Sequence, residues 1–290
     1  MLTEEQVDFY REHGYLVVAD VLRPDELEEA HAIVDDFVEQ SRHVSEQSGH
    51  FDLEPDHTPE NPKVRRLSSP ASYHPFFGGL MRDSRILDLL TPLIGPAIRA
   101  QGDKLNMKPA DGGSPVEWHQ DFAHYPHTND DLCAVGIALD DATRENGCMM
   151  VVPGSHRGPI LDHHQDGYFI GAISPSRDHI DLTSAVPLEM KAGSLSIHHA
   201  RTLHGSALNR SGISRRLLLY QYAAVDAWPL GGVGNWDSFN ANILRGEPTY
   251  DFRLVSMTAR TRMPAGARSG GGIYELQKPL QEQEKVFATG

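Results

Sequence analysis

His119 and Asp121 stand two positions apart, shortly after a Gly-Gly-Ser-Pro segment that predicts a turn. In an extended backbone, side chains two residues apart point to the same face, so both can reach one ion. The pair alone is weak evidence, because this spacing also arises by chance. His204 lies far downstream, where a neighbouring strand can bring it beside the pair. Two histidines and one carboxylate leave positions open on a six-coordinate ion, the ligand set suited to non-haem Fe(II).

Arg215 follows His204 by eleven residues and begins a β-prone run. A guanidinium is a natural bidentate partner for a carboxylate, such as the distal carboxylate of 2-oxoglutarate. The combination predicts a metal site that also binds a dicarboxylate cosubstrate. The alternative is a metal-binding cupin-like isomerase or a non-catalytic ligand-binding module. Arg215 argues against it, because such a site has no need for a guanidinium that faces the metal.

The composition is typical of a single globular domain. Of the 290 residues, 39% are hydrophobic and 23% are charged, which is enough for one core. The net charge of −14 would repel nucleic acid and anionic membrane surfaces, so a small-molecule substrate is the expected partner. Only two cysteines occur, and neither a signal sequence nor a membrane-spanning apolar run is evident. We therefore expect a soluble cytoplasmic protein, and the sequence leaves its oligomeric state open.

Helices are predicted at the front of the chain and strands behind them. Thr3 and Gln6 form a predicted capping box that begins a helix, and Gly14 ends it. A β-prone run follows at 15–18, and further helices are predicted at 24–39 and 84–93. Short β-prone segments then alternate with turn residues, at 98–105, 132–139, 148–152, 186–190, 195–199 and 217–223. This rhythm predicts an antiparallel sandwich or barrel.

The pattern divides the chain into three parts of one domain: a helical part at 1–95, a strand-rich core at 96–225 and a C-terminal extension at 226–290. The polar stretch 41–62 is predicted to be a surface loop, of a kind that often covers an active site. The tail 264–290 carries little periodic signal.

The chain resembles the phytanoyl-CoA dioxygenase family. The family pattern is His-X-Asp, a distant His-Gly-Ser and an arginine a short interval later. His119 and Asp121, the His-Gly-Ser run that begins at His204, and Arg215 match it. The intervening Asn-Gly-Cys and Pro-Gly-Ser-His segments, within 146–156, are also similar to those of the family. Each piece is common, but the combination is specific.

This resemblance covers about residues 3–223 and implies a fold and a cofactor set. The implied fold is mainly β with flanking helices, a double-stranded β-helix, also called a cupin-like jelly roll. The implied reaction uses Fe(II), 2-oxoglutarate and O₂ to hydroxylate a small molecule, with release of succinate and CO₂. The triad would hold the iron, and Arg215 with Ser206 would bind the far carboxylate of 2-oxoglutarate. The implied catalytic residues are the triad and Arg215.

Some further assignments also follow from the resemblance. Lys104 and Arg66 fall near family positions that line the 2-oxoglutarate pocket. Where several relatives have a tryptophan beside the cosubstrate, this chain has Ile137. The resemblance therefore implies that the wall of the 2-oxoglutarate pocket differs from that of these relatives. Iron halogenases of similar architecture have a small residue in place of Asp121, so the carboxylate favours hydroxylation or a related oxidation. Arg216 competes with Arg215, but adjacent strand residues face opposite ways, and the interval from His204 favours Arg215.

Residues beside the ligand pair are candidates for substrate contact. His124 and Tyr125 lie in the loop that follows the pair, and the alternative for them is a solvated loop. Trp118 adjoins His119, but a tryptophan more often packs in a pocket wall or in the hydrophobic core than contacts a substrate. The segment from Trp118 to Phe122 is also similar to ectoine hydroxylases, which act on compact polar substrates. The other histidines, at 156, 163, 164, 198 and 199, are expected to be structural or to lie in polar loops.

Overall fold

The computed structural model describes residues 1–44, 46, 48–110, 112–178, 180–255, 261–264, 272–283 and 287 of the chain. Its helices are α1 (Glu4–His13), α2 (Pro24–Gln40), α3 (Pro70–Tyr73), α4 (Pro75–Met81), α5 (Ser84–Ile94), α6 (Trp236–Ala241) and α7 (Ile273–Gln283). Its strands are β1 (Tyr15–Val18), β2 (Phe51–Leu53), β3 (Val64–Ser68), β4 (Ile98–Lys108), β5 (Val116–His119), β6 (Leu132–Ala138), β7 (Met149–Val151), β8 (His164–Gln165), β9 (Tyr168–Phe169), β10 (Val186–Pro187), β11 (Leu195–His199), β12 (His204–Ser206), β13 (Arg215–Ala224) and β14 (Ile243–Arg245).

Two antiparallel sheets form the body of the protein. The larger has the strand order β1-β11-β6-β13-β4-β3-β2, and β14 also pairs with β4. The smaller has the order β10-β7-β12-β5. Strands distant in sequence are neighbours in both sheets, so the chain passes back and forth between them. The architecture is mainly β with flanking helices, as predicted.

Apolar side chains of α2, α4 and α5 pack on one face of the larger sheet. The packing is fully buried and includes Val34, Phe77, Leu90, Leu105 and Leu218. Because side chains alternate along a strand, the next residues of β4 and β13 point to the opposite face. That face is available to form a cavity.

Gly14 ends α1 where the chain turns into β1. The capping box of Thr3 and Gln6 is present, and Gly14 has a left-handed φ of 77° with its N–H bonded to Tyr10 O. A Cβ at this position would lie 2.4 Å from the Nδ1 of His156. The predicted helix is confirmed, and the approach of His156 gives a second reason for glycine at its end.

Two parts of the chain differ from the predictions. Within 41–62, β2 is a buried strand that pairs with β3 at the edge of the larger sheet, so a surface loop is the wrong interpretation there. A three-residue strand is too short to show a period in a polar sequence. In the tail, α7 forms although Pro279 lies inside it. Much of the rest of 264–290 lies outside the described residues.

Cys133 and Cys148 are buried and are not joined by a disulfide. No described helix has both the length and the apolar character needed to span a membrane. That the helical, strand-rich and C-terminal parts form one domain stays a prediction.

Candidate metal centre

β5 and β12 bring the two predicted histidine ligands together. The strands are antiparallel neighbours, and His204 stands directly opposite His119. Gln120 stays extended, with φ −119° and ψ 124°, and Asp121 begins a 3-10 turn. The Nε2 atoms of His119 and His204 lie 3.7 Å and 4.0 Å from Asp121 Oδ1. One ligand atom from each of the three lies within 4.8 Å of the others, a spacing that suits one metal ion.

The backbone orients each imidazole. Nδ1 of His119 lies 2.8 Å from Glu117 O, and Nδ1 of His204 lies 2.9 Å from Thr202 O. A proton on each Nδ1 makes these hydrogen bonds and leaves the Nε2 lone pair for a metal. Burial lowers the pKa of His204 to about 4 and that of His119 well below its ordinary value. Both rings are therefore neutral, as metal ligands must be.

Gln120, between His119 and Asp121, is held by hydrogen bonds of both its backbone and its side chain. Its backbone N–H donates to His163 Nε2 at 2.8 Å, and its side-chain oxygen accepts from Leu161 N at 2.9 Å. Its side-chain amide donates to Pro159 O at 3.2 Å and Arg201 O at 2.9 Å. His163 is thus a buried structural residue and not part of an exposed polar loop.

His198 of β11 contacts the other oxygen of the Asp121 carboxylate. Its Nε2 lies 3.5 Å from Asp121 Oδ2. Burial alone would raise the pKa of Asp121, but the His198 contact, the nearby His204 imidazole and the charge of Lys104 hold that pKa well below its ordinary value. Asp121 is therefore ionised. His198, expected to be only structural, lies directly behind the triad.

The triad lies at the wall of a cavity between the two sheets. The cavity has a volume of about 40 Å³. Its lining includes these predicted site residues: Lys104, His119, Asp121, His204, Ser206 and Arg215. The other lining residues are Asn106, Val116, Ala134, Met149, His198, Gly205, Leu217, Leu219, Gln221 and Ile273. The cavity thus combines a largely apolar wall with a few polar groups.

Arg215 and Arg216 face opposite sides of β13. Arg215 enters the cavity and donates to Gly147 O at 2.5 Å. Its buried Nε has no hydrogen-bond partner among the described residues. Arg216 instead pairs with Asp140 at 2.7 Å and Asp35 at 2.9 Å on the outer side. Only Arg215 can therefore present a guanidinium to a ligand in the cavity.

Arg66 and Trp118 do not reach the cavity wall. Arg66 of β3 pairs with Asp52 of β2 at 2.6 Å; Asp52 is buried and Arg66 is partly buried. Trp118 points away from its neighbour His119, as alternation along the strand requires, and stacks on Phe287 with ring centroids 5.5 Å apart. The structure does not bring these two predicted residues to the triad.

Ile137 also lies on the far face of its strand. It stands opposite Leu218 and packs in the core beneath the helices. Ala134 lines the cavity instead. Gly136 shares that face, and a Cβ there would lie 3.3 Å from Leu217 and from Leu219. The expectation that Ile137 replaces a cosubstrate-flanking tryptophan is wrong, because the face that a strand residue occupies depends on a register that one sequence does not show.

His124 and Tyr125 lie close to the triad. The ring centroid of His124 is 5.7 Å from that of His119. The Tyr125 hydroxyl accepts from Gln221 Nε2 at 3.0 Å. Burial, and then the nearby Asp121 carboxylate, raise the pKa of Tyr125 well above its usual range, so the phenol keeps its proton. Neither residue is among those that line the cavity, so their contact with a substrate stays a prediction.

A family model, phytanoyl-CoA dioxygenase (PhyH), matches residues 10–217. The chain belongs to this family. A probable alpha-ketoglutarate-dependent hypophosphite dioxygenase of Stutzerimonas stutzeri is 41% identical over 224 residues, which are 76% of this chain and 78% of the relative. An ectoine dioxygenase of Halomonas elongata is 27% identical over 244 residues, 76% of this chain and 70% of the relative.

Solved structures of this family share the fold. The crystal structure of EctD from S. alaskensis with 2-oxoglutarate and 5-hydroxyectoine has a TM-score of 0.66 at 22% identity, and the match covers 86% of each chain. The predicted jelly roll is confirmed. The predicted class, an Fe(II)- and 2-oxoglutarate-dependent dioxygenase that uses O₂, is confirmed over the cupin-like alternative.

The residues of this phytanoyl-CoA dioxygenase family member suit the cofactors of its class. Three neutral or anionic ligand atoms converge from His119, Asp121 and His204, and they leave part of an iron coordination sphere open. Arg215 keeps a buried donor unpaired among the described residues and lines the same cavity as the triad. The site therefore fits Fe(II) together with 2-oxoglutarate.

Helix α7 supplies site residues that sequence reasoning missed. Gln277 is fully buried; it accepts from Glu117 N at 2.8 Å and donates to Gly171 O at 3.0 Å. Ile273 reaches the cavity. The apolar residues of this helix do recur at helical spacing, at 273, 276 and 280, and this was the one available signal.

Proposed function

We propose that His119, Asp121 and His204 hold the Fe(II) of this dioxygenase. The support is their convergence within 4.8 Å, together with the Nδ1 contacts that direct both Nε2 lone pairs to one point. When bound, the iron couples reduction of O₂ to decarboxylation of 2-oxoglutarate and to oxidation of the substrate. The protein holds the ligands rigid and keeps bulk water out of the cavity.

Arg215 and Ser206 receive the distal carboxylate of 2-oxoglutarate in this proposal. The observation that carries it is the unpaired Nε of Arg215 among the described residues, on a buried guanidinium that lines the same cavity as the triad. Leaving such a donor unpaired is costly, and a carboxylate satisfies it in a bidentate manner. Ser206 stands two residues after His204 and lines the cavity with it.

The substrate in this proposal is a small polar molecule that is hydroxylated beside His124 and Tyr125. The names of the two relatives, which refer to hypophosphite and ectoine, support a compact substrate. The net charge of −14 gives no general attraction for the phosphates of a CoA thioester.

Anaerobic titration tests the assignment of the histidine ligands. Wild-type protein with Fe(II) and 2-oxoglutarate should develop the weak visible charge-transfer band of the ternary complex. His119→Ala and His204→Ala should lose that band, whereas the exposed His43→Ala should keep it. A full band in either ligand variant would refute the proposed iron site. Stimulation of succinate release by candidate substrates, with hypophosphite and ectoine first in the panel, would then identify the substrate.

A further inference from the structure

Lys104 presents an unpaired cation to the iron end of the cavity. It lies in β4, directly opposite Leu219 of β13, and its side chain lines the cavity. Its side chain is only partly buried, and no hydrogen bond or ion pair of its ammonium with another described residue is found. A cation in a cavity is stabilised when a polar or anionic group contacts it. A ligand in the cavity can supply that contact.

Lys108, on the same face of the same strand, shows the contrast. Its side chain is almost fully buried, and its ammonium donates to Ser114 O at 2.7 Å and to Ala207 O. The two lysines thus differ in both burial and hydrogen bonding, because Lys104 is only partly buried. Lys108 is held by the protein, whereas Lys104 is available to a ligand.

Lys104 and Arg215 lie at different ends of the cavity. Arg215 stands opposite Lys108, four residues from Lys104 along β4, which corresponds to about 13 Å. The charge of Lys104 acts on the pKa of Asp121 and of His204. Lys104 is thus a neighbour of the metal site and not of the guanidinium.

In the site with iron and 2-oxoglutarate bound, no negative charge would offset the positive charge of Lys104. The titratable residues that line the cavity are Lys104, His119, Asp121, His198, His204 and Arg215. With His119 and His204 neutral as metal ligands, the two positive charges of Fe(II) and that of Arg215 would be offset by Asp121 and by the two carboxylates of 2-oxoglutarate. The charge of Lys104 remains. One further negative charge would neutralise the site, and only the substrate has yet to enter.

Polar groups beside Lys104 suit a compact ligand. Gln221 stands opposite Gly102, two residues before Lys104, and lines the cavity. It donates to the Tyr125 hydroxyl at 3.0 Å. The positive charge of Arg66 lies close enough to lower the pKa of Lys104, although Asp52 pairs with Arg66. This end of the cavity is therefore small, polar and positive.

We propose that Lys104 binds an anionic oxygen of the substrate, so that the enzyme oxidises a small oxyanion such as a phosphorus oxyacid or a short carboxylic acid. This inference rests on the proposed roles of the triad and Arg215. Lys104 then fixes the substrate beside the metal, and it is a specificity residue and not a second anchor for 2-oxoglutarate, the role that the family resemblance implied.

Anaerobic binding measurements on the Fe(II)-loaded protein separate these two roles. Lys104→Met removes the charge at nearly constant length, Lys104→Arg keeps it, and Lys191→Met removes an exposed lysine paired with Asp141 as a control. The visible band gives the Kd for 2-oxoglutarate in each variant. Calorimetry of the Fe(II) and 2-oxoglutarate complex gives the Kd for hypophosphite, phosphite, methylphosphonate and acetate. Dimethyl methylphosphonate and methyl acetate are the uncharged counterparts.

We expect at least one anion to bind the wild type, and its affinity to fall about tenfold to a hundredfold in Lys104→Met. Lys104→Arg should recover part of the loss, Lys191→Met should bind like the wild type, and the Kd for 2-oxoglutarate should stay within about twofold throughout. A selective loss of 2-oxoglutarate binding in Lys104→Met would overturn the proposal and assign Lys104 to the cosubstrate. Equal binding of the esters, or no binding of any anion, would also overturn it. Absence of the visible band from the wild type would instead refute the proposed iron and 2-oxoglutarate sites.

Discussion

His198 Nε2 lies 3.5 Å from Asp121 Oδ2, while Oδ1 of the same carboxylate faces the two ligand histidines. The carboxylate is thus shared between the metal site on one oxygen and a buried imidazole on the other. Such contacts fix the orientation of a ligand and tune its basicity. His198 is a positioning residue, and its effect should appear in metal affinity.

His198→Leu should weaken Fe(II) binding about tenfold to a hundredfold, because the Asp121 carboxylate loses its second contact. Metal titration followed by tryptophan fluorescence would measure this effect without turnover. His199→Gln is the matched control. His199 is the next residue of β11, its side chain points to the other face of the strand, and it accepts from Arg201 N at 3.0 Å. Equal iron affinity in His198→Leu and the wild type would show that Asp121 needs no support.

Arg215→Ala and Arg216→Ala should differ in kind. Among the described residues, Arg215 is the only one with a guanidinium that lines the cavity, so its loss should raise the KM for 2-oxoglutarate at least about tenfold. Loss of Arg216 breaks the contacts with Asp140 and Asp35 on the outer side and should lower stability with little change in that KM. Steady-state succinate release and urea denaturation measure the two effects. The reverse pattern would mean that Arg216, and not Arg215, points into the cavity.

His163 should contribute to acid sensitivity. Burial lowers its pKa from 6.5 to about 4, since its Nε2 accepts the N–H of Gln120 and has no room for a proton. As the pH falls, the His163 imidazole is therefore protonated at a higher pH in the unfolded chain than in the folded protein. Stability from this residue is fully present above about pH 6.5 and is lost, by on the order of 3 kcal/mol, as the pH falls to about 4.

Urea denaturation of wild type and His163→Gln at several pH values would test this dependence. Other histidines also titrate, so the difference between the two proteins is the informative quantity. That difference should favour the wild type most near pH 7 and shrink toward pH 4. The exposed His43→Gln should give no pH-dependent difference. A gap between wild type and His163→Gln that is constant with pH would contradict the proposed role.

Sequence spacing predicted that His119 and Asp121 share a face because that depends on local geometry, whereas His204 and the choice of Arg215 over Arg216 depended on strand pairing and on the family pattern. Alternation along a strand decides which neighbour enters the cavity once one of them is known to do so. The prediction that Ile137 lies beside the cosubstrate was wrong because nothing local indicates which face of β6 is turned to the cavity. The packing of the strands on α2, α4 and α5 decides that, and it involves contacts distant in sequence.

Short and irregular elements were the other source of error. The three residues of β2 gain their burial from β3 and β4, and their own pattern does not indicate a strand. The helix α7 contains Pro279, which lowers its intrinsic helix propensity, and tertiary contacts of Gln277 and Tyr274 compensate. In both cases the tertiary structure stabilises an element that local sequence disfavours.

Gln277 should couple α7 to iron binding. Its side chain accepts from Glu117 N and donates to Gly171 O, and the carbonyl of Glu117 receives Nδ1–H of His119. Gln277→Leu leaves a buried N–H and a buried carbonyl unpaired, which should cost about 1–3 kcal/mol of stability per group. It should also loosen the backbone that orients His119, so Fe(II) affinity should fall.

Gln283→Leu is the control on the same helix, because Gln283 makes only an exposed hydrogen bond with Gln165 among the described residues. Urea denaturation and Fe(II) titration of both variants would separate a general effect on α7 from the specific contact with β5. We expect Gln277→Leu to lose both stability and iron affinity, and Gln283→Leu to lose neither. A Gln277→Leu variant with reduced stability but unchanged iron affinity would show that α7 stabilises the fold without orienting His119, because the Glu117 carbonyl would then hold the imidazole without help from the helix.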